Sequence, residues 1–199
     1  MKMKIKLISV LLIISIVLAG CTNSHPLKKF DGEYSGSSYK NEKLGFTYET
    51  PEGVNVYSQK NIDDEEEQAR EDLSKEEIAI RDKVRTVFAS HYPDTGVSAT
   101  VRVEEIDKEK IASVDEYLEQ ARDYYKQLTE YNININNIYS TEFVGKQFKV
   151  LGMELVDSGY VYMIYATTHE DYILTFSFYY VIGSENLLTT LMQGFKEYK

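Results

Sequence analysis

Three apolar runs in the last third of the chain are joined by turns too short for any crossover. Phe143 to Leu155, with Gly145 as a turn at its start, leads through Asp157-Ser158-Gly159 into Tyr160 to Thr168. His169-Glu170-Asp171 then turns into Tyr172 to Tyr180. Parallel neighbours need a connection of a dozen or more residues, so these runs must pair antiparallel, as a meander. In the last of them Leu174, Phe176 and Phe178 share one face, while Thr175 and Ser177 point the other way.

The segments upstream complete an α+β pattern. Thr86–His91 and Val97–Val103 flank Pro93-Asp94-Thr95-Gly96, and β-branched residues on both sides of such a turn form a hairpin. Ser113 and Glu116 have the spacing of a capping box. After them Val114, Tyr117, Leu118, Ala121, Tyr124, Tyr125 and Leu128 fall on one helical stripe that should lie on a sheet, with Tyr124 and Tyr125 packed in the core. Ser184 is read as the cap of a final helix carrying Leu187, Leu188, Leu191, Met192 and Phe195 on one side. Near the start, Phe46 and Tyr48 alternate with polar neighbours as in a strand. Pro51-Glu52-Gly53 turns, and Val54–Tyr57 forms a second strand. Residues 61–83 hold one or two exposed helices, with a capping box at Ser74 and Glu77.

The N-terminus carries an address. Lys2, Lys4 and Lys6 precede an uncharged apolar stretch from Leu7 to Leu18, the arrangement of an export signal. A spanning helix needs about 18 or more apolar residues, so this stretch is short for one. Leu18-Ala19-Gly20-Cys21 resembles the lipobox of a bacterial lipoprotein, and Cys21 is the only cysteine in the chain. That resemblance implies removal of residues 1–20, lipidation of Cys21 and attachment to the extracytoplasmic face of the cell membrane. Two acyl chains hold firmly where one does not. An exported domain could form disulfides, but a single modified cysteine leaves none within the chain, so the core alone must supply stability. Residues 21–42 are polar and contain Ser35-Gly36-Ser37-Ser38, which reads as a flexible tether before a domain at 43–199. Twenty such residues reach about 25 Å.

Charge excludes one class of partner. The chain has 22 basic and 32 acidic residues for a net of −10. Loss of the signal removes three lysines and no acid, leaving 19 against 32, or −13. Such a surface repels phosphate backbones, so nucleic acid is not an expected partner. It also repels anionic headgroups, so the domain is expected to stand off the membrane on its tether.

Several local features resemble the PsbP-like fold, an α/β/α sandwich in which an antiparallel sheet lies between helices. They are Gly45-Phe46 leading into Pro51-Glu52-Gly53, the helix start Ser113-Val114-Asp115-Glu116-Tyr117, Gly145-Lys146-Gln147-Phe148, Tyr172-Ile173-Leu174-Thr175-Phe176, and the ending Leu191-Met192-Gln193-Gly194-Phe195-Lys196. The resemblance implies a mainly non-catalytic accessory or binding protein and carries no active-site residues over. Fold alone does not fix function.

Chemistry-bearing motifs are few. His25, His91 and His169 are the only histidines, and none has a partner at zinc-ligand spacing. His91 reads as a turn residue. No Gly-x-Ser-x-Gly elbow and no Gly-rich phosphate loop occur. Asp63 to Glu67 is an acidic run, but consecutive carboxylates on a helix diverge, whereas a calcium loop spaces its ligands around a glycine turn. A solvated helix face is the simpler reading. No catalytic residue, cofactor or metal is therefore expected. The expectation is a membrane-anchored lipoprotein acting as a non-catalytic binding or accessory module with an envelope protein partner. The alternatives are a small-ligand binder serving a transporter and a cell-surface enzyme.

Overall fold

Period-two alternation builds two antiparallel sheets in the computed structural model, which describes residues 25–70, 73–107, 109 and 111–199. The smaller sheet holds β1 (Glu33–Ser35), β2 (Ser38–Asn41), β3 (Phe46–Glu49) and β12 (Phe195–Glu197), side by side in the order β1-β2-β3-β12. The larger sheet runs β4 (Asn55–Val56), β5 (Val84–Tyr92), β6 (Val97–Glu105), β11 (Tyr172–Val181), β10 (Tyr160–His169), β9 (Lys146–Leu155) and β7 (Ile133–Ile135). A further strand, β8 (Tyr139–Phe143), also pairs with β9. Four α-helices accompany them among the described residues: α1 (Gln59–Gln68), α2 (Lys75–Arg81), α3 (Val114–Gln127) and α4 (Glu185–Gln193). The chain is α+β, and the expected meander and hairpin are both present.

The two faces of the larger sheet bury different things. Val97, Ala99, Val101 and Val103 of β6 and Leu174, Phe176 and Phe178 of β11 point into the main core. The smaller sheet and α4 close that core from the other side through Phe46, Tyr48, Leu188, Leu191 and Phe195. On the opposite face α3 sets Leu118 and Tyr125 on Leu151, Met153, Tyr162 and Ile164. The layers are thus a helix, a large sheet, and a small sheet with a helix beside it. A bulge between Thr86 and Phe88 puts one extra residue into β5, and Val87 and Phe88 are both fully buried.

Residues 26–41 are not the tether expected from their composition. Pro26–Phe30 forms a 3-10 turn, in which residues three apart lie on one side, and Leu27 and Phe30 are both buried. Phe30 meets the Tyr172 ring edge-on at 4.9 Å. Asn41 donates to the Phe30 carbonyl at 2.7 Å, and the Tyr39 hydroxyl donates to the Val87 carbonyl at 2.8 Å. Long-range partners, not local pattern, order this stretch. The packed unit therefore reaches at least to Pro26, and the expected boundary at residue 43 is corrected.

Caps follow expectation with two exceptions. Ser74 and Glu77 form the full reciprocal box at α2. At α3 the Ser113 hydroxyl accepts from the Glu116 amide at 3.1 Å, but the Glu116 carboxylate accepts from Ala112 at 2.8 Å instead of from the cap residue. Ser184 does not cap α4 with its side chain, since its hydroxyl turns back to the Val181 carbonyl. Phe195 lies beyond the helix, in β12. There Gly194 brings the chain so close to β3 that an added Cβ would sit 2.7 Å from the Glu49 carbonyl oxygen.

Candidate binding cleft

Helix α3 packs over β9 and β10, while α1 packs on β5, the strand next to the short edge strand β4. The central strands β6 and β11 lie between these two helices, and their α3-side face carries small polar residues in alternation. Ser98 and Thr100 of β6 stand opposite Tyr179 and Ser177 of β11, and Arg102 stands opposite Thr175. A cavity of about 400 Å³ opens over the Ser98–Thr100 end, and a second of about 300 Å³ adjoins it under α3. Tyr162 and Ser177 line both, and the Tyr162 hydroxyl donates to Ser177 Oγ at 3.1 Å. Together they form one cleft across the middle of the sheet.

Aromatic rings wall the larger cavity. Tyr160 and Tyr179 stack at 4.8 Å with 17° between planes, and Tyr57 lies 5.1 Å from the His91 ring. His91 is therefore not in a turn but on β5, at the cleft floor, and its Nδ1 is buried without a hydrogen bond. The other histidines lie elsewhere. His25 Nδ1 accepts from the Leu27 amide at 3.2 Å, and His169 ends β10 against Phe30 at 5.8 Å. The Tyr124-Tyr125 pair divides: Tyr125 is buried under α3, whereas Tyr124 is 48% exposed at the mouth of the smaller cavity.

Carboxyl groups bound the cleft, and the acidic run supplies two of them, Glu65 and Glu66. Asp63 and Glu66 do not belong to a solvated face as expected, because both turn inward from α1 to Arg85. That guanidinium, only 2% exposed, gives Nε and Nη2 to the two Asp31 oxygens at 2.8 and 2.7 Å. Its Nη1 lies 2.8 Å from Asp63 and 3.5 Å from Glu66. Paired bonds of this kind are the strong form of arginine recognition. Burial lowers the Arg85 pKa, but Asp31 and Asp63 outweigh it and raise it overall. At the other end, burial raises the Glu104 carboxyl, against the Tyr117 hydroxyl that donates to it at 2.9 Å.

Burial pushes Glu66 up to about 7 from its ordinary 4.5. The Thr86 hydroxyl stands near enough to favour the charged form, yet Glu66 Oε1 has no hydrogen bond of good geometry. A carboxyl raised in the fold contributes stability that is complete below its unfolded pKa and lost as pH climbs through the folded value. Between pH 5 and pH 8 the native protein should lose about 2 kcal/mol that a Glu66→Gln variant keeps. Urea unfolding of both at each pH unit checks this, and parallel stability curves would show that Glu66 stays ionised throughout.

Comparison with known proteins adds a likeness to solved structures. No family model and no curated protein matches the chain. Among solved structures it is similar to the solution structure of cyanobacterial PsbP from Synechocystis sp. PCC 6803, with 12% identity and a TM-score of 0.49, over 91% of this chain and 99% of that one.

Cys21 lies outside the described residues. Among those residues no helix is long and apolar enough to cross a membrane, and no group of three or more His, Cys, Asp or Glu is placed to hold a metal ion. Sequence reading missed Ser98, Thr100, Arg102, Glu66 and Glu104 as cleft residues. The available signal was small-polar alternation on two strands whose other faces are wholly apolar.

Proposed function

We propose that this chain is a membrane-anchored extracytoplasmic lipoprotein whose domain serves the cell envelope as a non-catalytic binding module. The observation that carries the binding role is the cleft left open across β6 and β11 between α1 and α3. Its volume of about 400 Å³ is in the range of small-ligand sites. The main hydrophobic core lies on the other face of the sheet, behind the cleft. Anchoring rests on the Leu18–Cys21 sequence and its positive, apolar lead-in. In bacteria expressing the full chain, Cys21→Ala should move the protein from the detergent phase to the aqueous phase. Intact mass of the native protein should include a diacylglyceryl group. An unmodified cysteine, or undiminished partition of the variant, removes the anchor from this reading. Native mass spectrometry of the extracted protein tests the binding role through a co-purifying small molecule or companion.

A further inference from the structure

The cleft's lining is selective in charge. Glu65, Glu66 and Asp94 face the larger cavity together with Tyr57, Tyr92, Tyr160, Tyr162 and Tyr179, and no lysine or arginine is among the described residues that line it. Aromatic faces attract cations, and desolvation strengthens that attraction. Glu66 is 2% exposed, Arg85 reaches its Oε2 at 3.5 Å and the Thr86 hydroxyl stands near, yet its Oε1 has no hydrogen bond of good geometry. A neutral apolar guest would leave that oxygen unsatisfied, at the cost that attends any buried orphan acceptor. An anion would meet three carboxyls. A guest with N–H donors and a positive charge meets both needs, and the net −10 of the chain favours its approach.

Resting on the binding-module reading, we infer that the cleft takes a small organic cation. Its protonated amine would pair with the carboxylates of Glu66, Glu65 and Asp94 that line the cavity while its apolar body lies against the tyrosines. A quaternary ammonium would not serve, because it has no N–H to give. The groups facing Glu66 are Arg85 from β5, Arg102 from β6, Thr86, and Asp63 on its own helix. Arg85 is shared with Asp31 and Asp63. Arg102 lines the adjoining cavity and not the larger one. Since the free carboxyl titrates near 7, cation binding is linked to proton release, and affinity should fall about tenfold from pH 8 to pH 6.

The probes are 2-phenylethylamine, charged at both pH values, and its neutral analogue 2-phenylethanol, titrated calorimetrically into the soluble domain freed of its signal. The amine should bind at least tenfold tighter than the alcohol, with the pH dependence above. Glu66→Gln should abolish both preferences while its thermal unfolding shows a folded chain. Glu65→Gln, at an exposed position on α1, should fold without difficulty and weaken the amine two- to threefold, and it serves if the first variant does not fold. Equal affinity for amine and alcohol overturns the charge assignment but leaves a binding cleft. Absence of amine binding at 10 mM overturns the inference, whereas the binding-module reading stands or falls separately on what co-purifies with the native protein.

Discussion

Phe195→Ala should cost about 3–5 kcal/mol of unfolding free energy, the range for removing a buried aromatic side chain. The Phe195 ring lies within 6.0 Å of six others, from Phe46 and Tyr48 on the smaller sheet to Phe88, Phe143, Phe176 and Phe178 on the larger face. No neighbour can refill the space, because the rings around it are held by both sheets at once. The effect should be visible as a lowered urea midpoint at unchanged slope. A loss under 1 kcal/mol would mean that the smaller sheet contributes little to the cooperative unit. The alternative outcome is a reduced slope, showing that β12 and its sheet have come away in the variant's native state.

Arg85→Met should cost about 3 kcal/mol at pH 8, because removing one partner of a buried pair leaves the other charges uncompensated. Methionine can follow the apolar part of the arginine stem, so the loss reports on charge more than on volume. Asp31, Asp63 and Glu66 would all lose their counter-charge. Of the three, Glu66 is the carboxyl that burial raises to about 7, so the part of the guanidinium's contribution that goes to Glu66 belongs to higher pH, where that carboxylate is charged, and declines as it protonates. The deficit should therefore be smaller at pH 5 than at pH 8. An equal deficit at both would assign the effect to packing. Because Arg85 joins the 3-10 turn region to α1, amide exchange near Asp31 should accelerate in the variant.

The elements that sequence made legible are those whose cause is local. The meander follows from period-two apolarity between short turns, and α3 from a stripe wide enough to cover strands. Ser74 and Glu77 form a box that needs only their own four residues. The stretch 26–41 was illegible because its buried side chains are scattered in a polar background and are ordered by residues far along the chain. Asp31 answers to Arg85 and Tyr39 to Val87, across 54 and 48 residues. The same distinction explains the site. The Ser98, Thr100, Arg102 alternation reads as an ordinary solvent face until α3 is seen to sit over β9 and β10 and leave β6 and β11 bare. Glu66 read as part of a charge run because the direction of one helical residue depends on what α1 leans against. Helix position, which sequence does not give, turned a wet sheet face into a cleft.

Burial of Leu27 bears on how a lipid-held form would sit. For a chain fixed at Cys21, six peptide steps separate the fat from the first side chain locked into the core, a leash of about 20 Å at full stretch. That is shorter than the coil expected from composition, and it begins beside Lys28 and Lys29, two cations on an otherwise acidic body. A protein so held would stay close to the bilayer. The leash then decides which depth of the envelope the cleft can sample.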